Sequence, residues 1–163
     1  PKRKVSMKYK INDLDVVPNF EVESTSGKKF SLSDYHNKTF VLYFYPKDST
    51  PGCTIEGNDF TKLHPHFAQA GIEVFGISRD SLKSHQNFIQ KQSYCFDLLS
   101  DTDETVCKIF DVIQQKNMYG KMVTGIERST FVVRNGSIVK SWRKVKVDGH
   151  AQEVLDFVKS MGH

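Results

Sequence analysis

Cys53 stands where a hydrophobic run gives way to a helix start, and that placement suits a nucleophilic thiol. The run Thr39-Phe40-Val41-Leu42-Tyr43-Phe44-Tyr45 is almost wholly apolar and rich in aromatic and β-branched residues, the composition of a strand buried on both faces. Pro46 ends it. Thr50 suits the N-cap, and Pro51 suits N1, where the missing N–H has no intrahelical partner to lose. Cys53 then falls at N3, the slot a capping box fills with Glu or Gln. Free N–H groups and the positive end of the macrodipole stabilise an anion there. With a cation beside it, such a site lowers a cysteine pKa from about 8.5 to roughly 3.5–7.5. A free cysteine taken alone is most often a buried, inert thiol; the Thr-Pro-Gly frame argues for the nucleophile.

Pro46, Thr50 and Cys53 reproduce the Pro-x-x-x-Thr-x-x-Cys signature of the peroxiredoxins. The longer stretch Tyr45-Pro46-Lys47-Asp48-Ser49-Thr50-Pro51-Gly52-Cys53-Thr54 resembles the subgroup called bacterioferritin comigratory protein, or peroxiredoxin Q. The resemblance runs from about Val17 to the C-terminus. It implies an α/β, thioredoxin-like fold with a central mixed sheet flanked by helices, and thiol-dependent reduction of hydroperoxides. Residues 125–131 resemble the family's Gly-x-x-Arg-x-Thr-Phe, which carries Arg128 over as the active-site arginine. In isolation an arginine before a strand is usually a surface residue. The resemblance further implies that Thr50 orients the peroxide through its hydroxyl, that Pro46 shields the thiolate from water, and that the backbone N–H groups of Gly52 and Cys53 donate to the substrate. Tyr45 and Glu56 match as well, Tyr45 as a pocket wall and Glu56 as an ion-pair partner of Arg128. Ordinary packing and a solvated helix charge fit those two equally. No cofactor and no metal are expected.

A peroxide would leave Cys53 as a sulfenic acid, which must return to thiol or risk further oxidation. Many members of the subgroup carry a second cysteine five residues on, where this chain has Asn58; others carry it in the next helix, where this chain has Asn87, Phe88, Ile89 and Gln90. Cys95 and Cys107 remain, each beside apolar residues and expected in the core. A disulfide needs Cα atoms within ~7 Å. The expectation is a one-cysteine mechanism completed by an external thiol: thioredoxin, glutaredoxin or glutathione. The alternative is a redox-sensing thioredoxin-fold binding protein or chaperone without efficient turnover. A dithiol exchanger fits worst, because Glu56 occupies the position of its second thiol.

The elements that must position these groups follow from periodicity. Two alternating segments around Gly27 predict an N-terminal β-hairpin. The helix carrying Cys53 runs on through Phe60, Leu63 and Phe67 to Gly71, and Pro65 predicts a kink or break near Leu63. His64 and His66 flank that proline without further ligands at metal-binding spacing. Residues 72–78 predict a central strand, and Ser81 starts a helix with Leu82, His85, Phe88, Ile89 and Gln92 along one side. A strand at 96–100 and a short helix at 101–110 continue the alternation, which argues for a parallel core. Residues 114–127 show no clear period and read as a loop. Asn135-Gly136 between apolar runs predicts a type I′ hairpin, and residues 149–161 a closing helix.

Bulk properties bound the class. A chain of 163 residues with 38% hydrophobic content fits one domain, expected over residues 11–163, with residues 1–10 as a basic disordered tail. No apolar run approaches the ~20 residues of a membrane span, so no membrane partner is expected. Three cysteines without Cys-x-x-Cys pairs point away from a disulfide scaffold or zinc ribbon and toward a reducing, cytoplasmic setting. A net charge of +4, spread along the chain, gives no nucleic-acid signal. The run Pro1-Lys2-Arg3-Lys4-Val5 also fits a nuclear-import address. The expected assembly is a monomer or weak homodimer.

Overall fold

The computed structural model describes residues 9–161, and the basic run at residues 1–5 lies outside them. The expected N-terminal hairpin is present: β1 (Glu21–Ser24) pairs antiparallel with β2 (Phe30–Ser31). A 3₁₀ turn at Leu32–Tyr35 leads into β3 (Thr39–Phe44), followed by α1 (Pro51–Gln69), β4 (Glu73–Ser78), α2 (Leu82–Gln92) and β5 (Leu98–Ser100). Then come α3 (Thr105–Ile109), β6 (Ile113–Met118), β7 (Lys121–Ile126), β8 (Ser129–Arg134), β9 (Ser137–Trp142) and α4 (His150–Ser160).

Seven strands form one mixed sheet in the order β2-β1-β5-β4-β3-β8-β9. The centre, β3-β4-β5, is parallel as the strand–helix alternation predicts, while β1 and β8 join it antiparallel. β3 shows why its sequence is apolar throughout. Phe40, Leu42 and Phe44 point into one buried layer with Phe75, Phe110 and Phe131; Val41, Tyr43 and Tyr45 point into the other with Phe60, Phe67, Leu98 and Val154. Successive side chains of a strand face opposite ways, so two covered faces need two apolar sets. Cys53, in the first turn of α1, belongs to the second layer.

The expected break at Pro65 and the expected loop at residues 114–127 are corrected. Pro65 lies inside α1, which continues unbroken from Pro51 to Gln69. A proline there deprives the carbonyl four residues back, that of Thr61, of its helical partner. The Cys95 thiol donates to that oxygen at 3.8 Å, so the orphaned acceptor is met from outside the helix. Residues 114–127 are not a loop: β6 and β7 form a two-stranded antiparallel ribbon apart from the main sheet, from Ile113 opposite Ile126 to Met118 opposite Lys121. Most of β7 is exposed, so no face had to be apolar and no alternation was written. Its turn residues Tyr119 and Gly120 both have positive φ, +53° and +81°, the requirement Asn-Gly usually meets. At the predicted hairpin between β8 and β9, Asn135 and Gly136 have φ of +52° and +79°.

Candidate active site

The segment between β3 and α1 crosses the end of the parallel sheet and sets down the first turn of α1. Thr50 occupies the N-cap with extended backbone, and Pro51 opens the helix, as their types require. The Thr50 side chain does not cap: its hydroxyl donates to the carbonyl of Lys47 at 2.8 Å. With its hydrogen committed inward, that oxygen keeps its lone pairs to accept a hydrogen bond. Cys53 is buried, with 2% of its surface exposed, and Pro46, in the segment before α1, is half-buried.

Arg128 reaches this turn from the residue just before β8. Its Nη2 donates to Cys53 Sγ at 3.5 Å and its Nη1 to Glu56 Oε1 at 2.6 Å, so one planar fork spans thiol and carboxylate. Burial works against the guanidinium charge, yet Glu56 and Cys53 hold its pKa above the ordinary value. Glu56 is almost fully buried, and burial pushes its carboxyl up to about 7 although Arg128 pulls the other way. Its second oxygen has no hydrogen-bond partner among the described residues.

Gly52 explains itself by what a side chain would touch. A Cβ there would lie 3.1 Å from Arg128 Nη2, the nitrogen that serves Cys53. Such a contact is tight enough to push the guanidinium aside. Tyr45 is buried in the same apolar layer as Cys53, and its hydroxyl donates to Asp48 Oδ1 at 2.7 Å.

The structure therefore gathers Cys53, Gly52, Glu56 and Arg128 into one constellation, with Thr50 at the N-cap of the same helix, Pro46 in the segment leading to it and Tyr45 in the apolar layer that holds Cys53. Two further residues were passed over. Tyr94 donates to the carbonyls of Thr54 at 3.1 Å and Cys53 at 3.5 Å, staking down the first turn of α1, and nothing in its local sequence announces this. His85 is fully buried against Asp48; its only signal was a histidine on the apolar side of α2.

The remaining thiols differ from each other. Cys107 is buried, and burial raises its pKa, as expected of a core cysteine. Cys95 is exposed, which corrects the expectation of burial: it follows Tyr94, whose ring takes the core position, and points toward α1.

A family model described as "AhpC/TSA family" matches residues 14–141. The chain is 55% identical over 137 residues to Peroxiredoxin Bcp of Xanthomonas campestris, covering 83% of this chain and 86% of that protein. It is 44% identical to Peroxiredoxin Bcp of Bacillus subtilis over 145 residues, covering 88% and 92%. The chain belongs to the AhpC/TSA family, in its peroxiredoxin Bcp or Q subgroup. Among solved structures, a Xanthomonas campestris peroxiredoxin Q superposes with a TM-score of 0.84 at 52% identity, covering 88% of this chain and 92% of that one. A cysteine-to-serine mutant of Xylella fastidiosa PrxQ gives 0.89 at 47% identity, covering 94% and 98%. This peroxiredoxin accordingly has the thioredoxin-like fold and is a thiol-dependent peroxidase.

Proposed function

We propose that this peroxiredoxin reduces hydrogen peroxide and small organic hydroperoxides through a Cys53 sulfenic acid that an external thiol resolves. The observation that carries the reading is the Arg128 fork, one nitrogen on Cys53 Sγ and the other on Glu56. A structure of the Xanthomonas campestris relative is described in terms of alkyl peroxide reduction, which agrees with the substrate class.

In the proposed reaction the Cys53 thiolate attacks one peroxide oxygen in line. An S–O bond forms as the O–O bond breaks, sulfur is oxidised, and the electron pair leaves on the second oxygen, which takes a proton to depart as water or alcohol. Negative charge moves from sulfur to oxygen, so fixed donors that follow it lower the barrier. Arg128 supplies a planar pair of donors, the N–H groups of Gly52 and Cys53 add to them, and Thr50 accepts from the substrate hydroxyl to set its orientation. Pro46 excludes water from the thiolate.

The sulfenic acid then condenses with an external thiol, releasing water and leaving a mixed disulfide that a second thiol reduces. Asn58 is exposed on α1 and carries no thiol, Cys107 is buried, and the Cys95 thiol is held against Thr61, more than two turns along α1 from Cys53. The test adds one equivalent of hydrogen peroxide to reduced protein, traps with dimedone and measures intact mass. A dimedone adduct at Cys53, absent in Cys53→Ser and unchanged in Cys95→Ser, is expected. Prompt formation of a Cys53–Cys95 or Cys53–Cys107 disulfide overturns the one-cysteine mechanism. A wild type without rapid peroxide consumption overturns the whole reading in favour of a sensor or binding protein.

A further inference from the structure

We infer that His85, on α2 and outside the thiol's constellation, is a positioning residue for the peroxidase reaction: with Asp48 it locks the segment that presents Thr50 and Cys53. The inference rests on the reading that Cys53, Thr50 and Arg128 carry the chemistry.

His85 is wholly buried, and both of its ring nitrogens face oxygen. Nδ1 lies 2.7 Å from Asp48 Oδ2 and Nε2 lies 2.8 Å from the carbonyl of Leu99 on β5. A carbonyl only accepts, so Nε2 donates its hydrogen to Leu99, while Nδ1 faces the Asp48 carboxyl. The ring is thereby a strut between the sheet and the segment leading into α1.

Asp48 is where that strut meets the segment. Its Oδ1 accepts from Tyr45 at 2.7 Å, its Oδ2 from Ser84 at 2.8 Å as well as facing His85, and its backbone N–H donates to Asp80 Oδ2 at 2.9 Å. Asp80 is itself held by the Ser78 hydroxyl at 2.5 Å. The residue after Asp48 is Ser49, at φ +63°, a conformation that a side-chain-bearing residue holds only when its surroundings dictate it. Thr50 follows, then the first turn of α1. Four contacts on Asp48 thus fix one end of a strained turn, and the Thr50 hydroxyl and Cys53 thiol lie just beyond the other end.

The burial makes the strut directional in its consequences. Removing the imidazole leaves a carboxylate inside the protein short of its strongest partner, and the least costly relief is for Asp48 to swing toward solvent. The segment moves with it, and Ser49 relaxes. Thr50 then leaves the place where it meets the peroxide, while Cys53 stays in the first turn of α1 within reach of Arg128.

The experiment compares two reactions of Cys53. Peroxide needs an oriented substrate; iodoacetamide needs only the thiolate. In His85→Phe the second-order rate constant with hydrogen peroxide is expected to fall on the order of 10²-fold, the scale of a misplacement of about 1 Å. Alkylation by iodoacetamide at the same pH is expected to be retained or faster. An unchanged peroxide rate, or parallel loss of both reactions, overturns the proposal. Asp48→Asn and Asp48→Ala give a second, independent comparison should the phenylalanine variant fold poorly. The asparagine amide can donate to Nδ1 of a neutral His85 that still donates to Leu99, so Asp48→Asn should recover much of the peroxide rate that Asp48→Ala loses. Equal rates for the two overturn the proposal. Wild-type protein run alongside separates the levels: if it is itself slow with peroxide, the underlying reading of Cys53 fails.

Discussion

Glu56 is the residue at which the chemistry and the stability of this peroxiredoxin meet. It holds Arg128 from a site so dry that burial lifts its carboxyl from the ordinary 4.5 to about 7. Between those values the folded chain keeps a proton that the unfolded chain has released. This contribution to stability is therefore complete below about 4.5 and is lost as pH rises through about 7, on the order of 3 kcal/mol in all. His150, buried beside Trp142 with Nε2 at 2.8 Å from the Thr130 hydroxyl, acts with the opposite sign. Burial lowers its pKa from 6.5 to about 4, so its contribution is gained as pH rises across that interval. The two nearly offset where their intervals overlap, and denaturant midpoints of the wild type are expected to stay level between pH 4.5 and 6.5. Glu56→Gln removes the falling half, and its midpoint should climb with pH over the same window. Parallel curves for the two proteins would show that Glu56 ionises as an ordinary carboxyl.

At the scale of elements, α1 depends on partners outside itself at both a proline and a glycine. At Pro65 the carbonyl left bare, that of Thr61, is met by the Cys95 thiol. Gly57 has no backbone need for glycine; it is there because Tyr94 crosses α1 at that point. A Cβ on Gly57 would overlap the Tyr94 hydroxyl, the group that donates to Thr54 and Cys53. Gly57→Ala must therefore push Tyr94 off the first turn, although alanine is the better helix former by about 1 kcal/mol. A net loss of roughly 1–3 kcal/mol is expected, the usual cost of overpacking. The same variant should react faster with iodoacetamide at Cys53, because the turn that buries the thiol loses its stake. A more stable Gly57→Ala protein with unchanged alkylation would show that the ring yields freely.

The whole molecule is a sheet covered on both faces, and its outer strand β9 is closed by the segment that precedes the first hairpin. Leu14 N–H donates to Ile138 at 2.7 Å, Ile138 N–H to Asp15 at 3.0 Å, and Val17 N–H to Gly136 at 2.8 Å, while Ile11 and Val17 are buried against the first apolar layer. An uncovered strand edge is a template for pairing with another chain. A chain starting at residue 18 should lose the burial of two aliphatic side chains, about 1.5–3 kcal/mol each, and self-associate through β9. Equilibrium denaturation and light scattering check both halves of the prediction. A truncated protein that is monodisperse and as stable as the full chain would mean that the segment merely lies on the surface.

What the sequence determined by itself was whatever neighbouring residues decide among themselves. The start of α1 was legible because Thr50 and Pro51 suit adjacent positions with distinct backbone requirements, and they place Cys53 in its first turn. The burial of β3 on both faces was legible because two apolar sets alternate within seven residues. Arg128 was legible only through the resemblance carried by residues 125–131. The tertiary structure decided the rest through pairs far apart in the chain: Arg128 on Glu56 across 72 residues, Tyr94 on Thr54 across 40, His85 on Asp48 across 37 and Cys95 on Thr61 across 34. No local propensity encodes such pairs, because each group is satisfied equally well by water until folding removes the water and leaves one partner within reach. The ribbon of β6 and β7 belongs with them: with most of β7 facing solvent, its strands exist through their mutual pairing, and no apolar period had to be written into them.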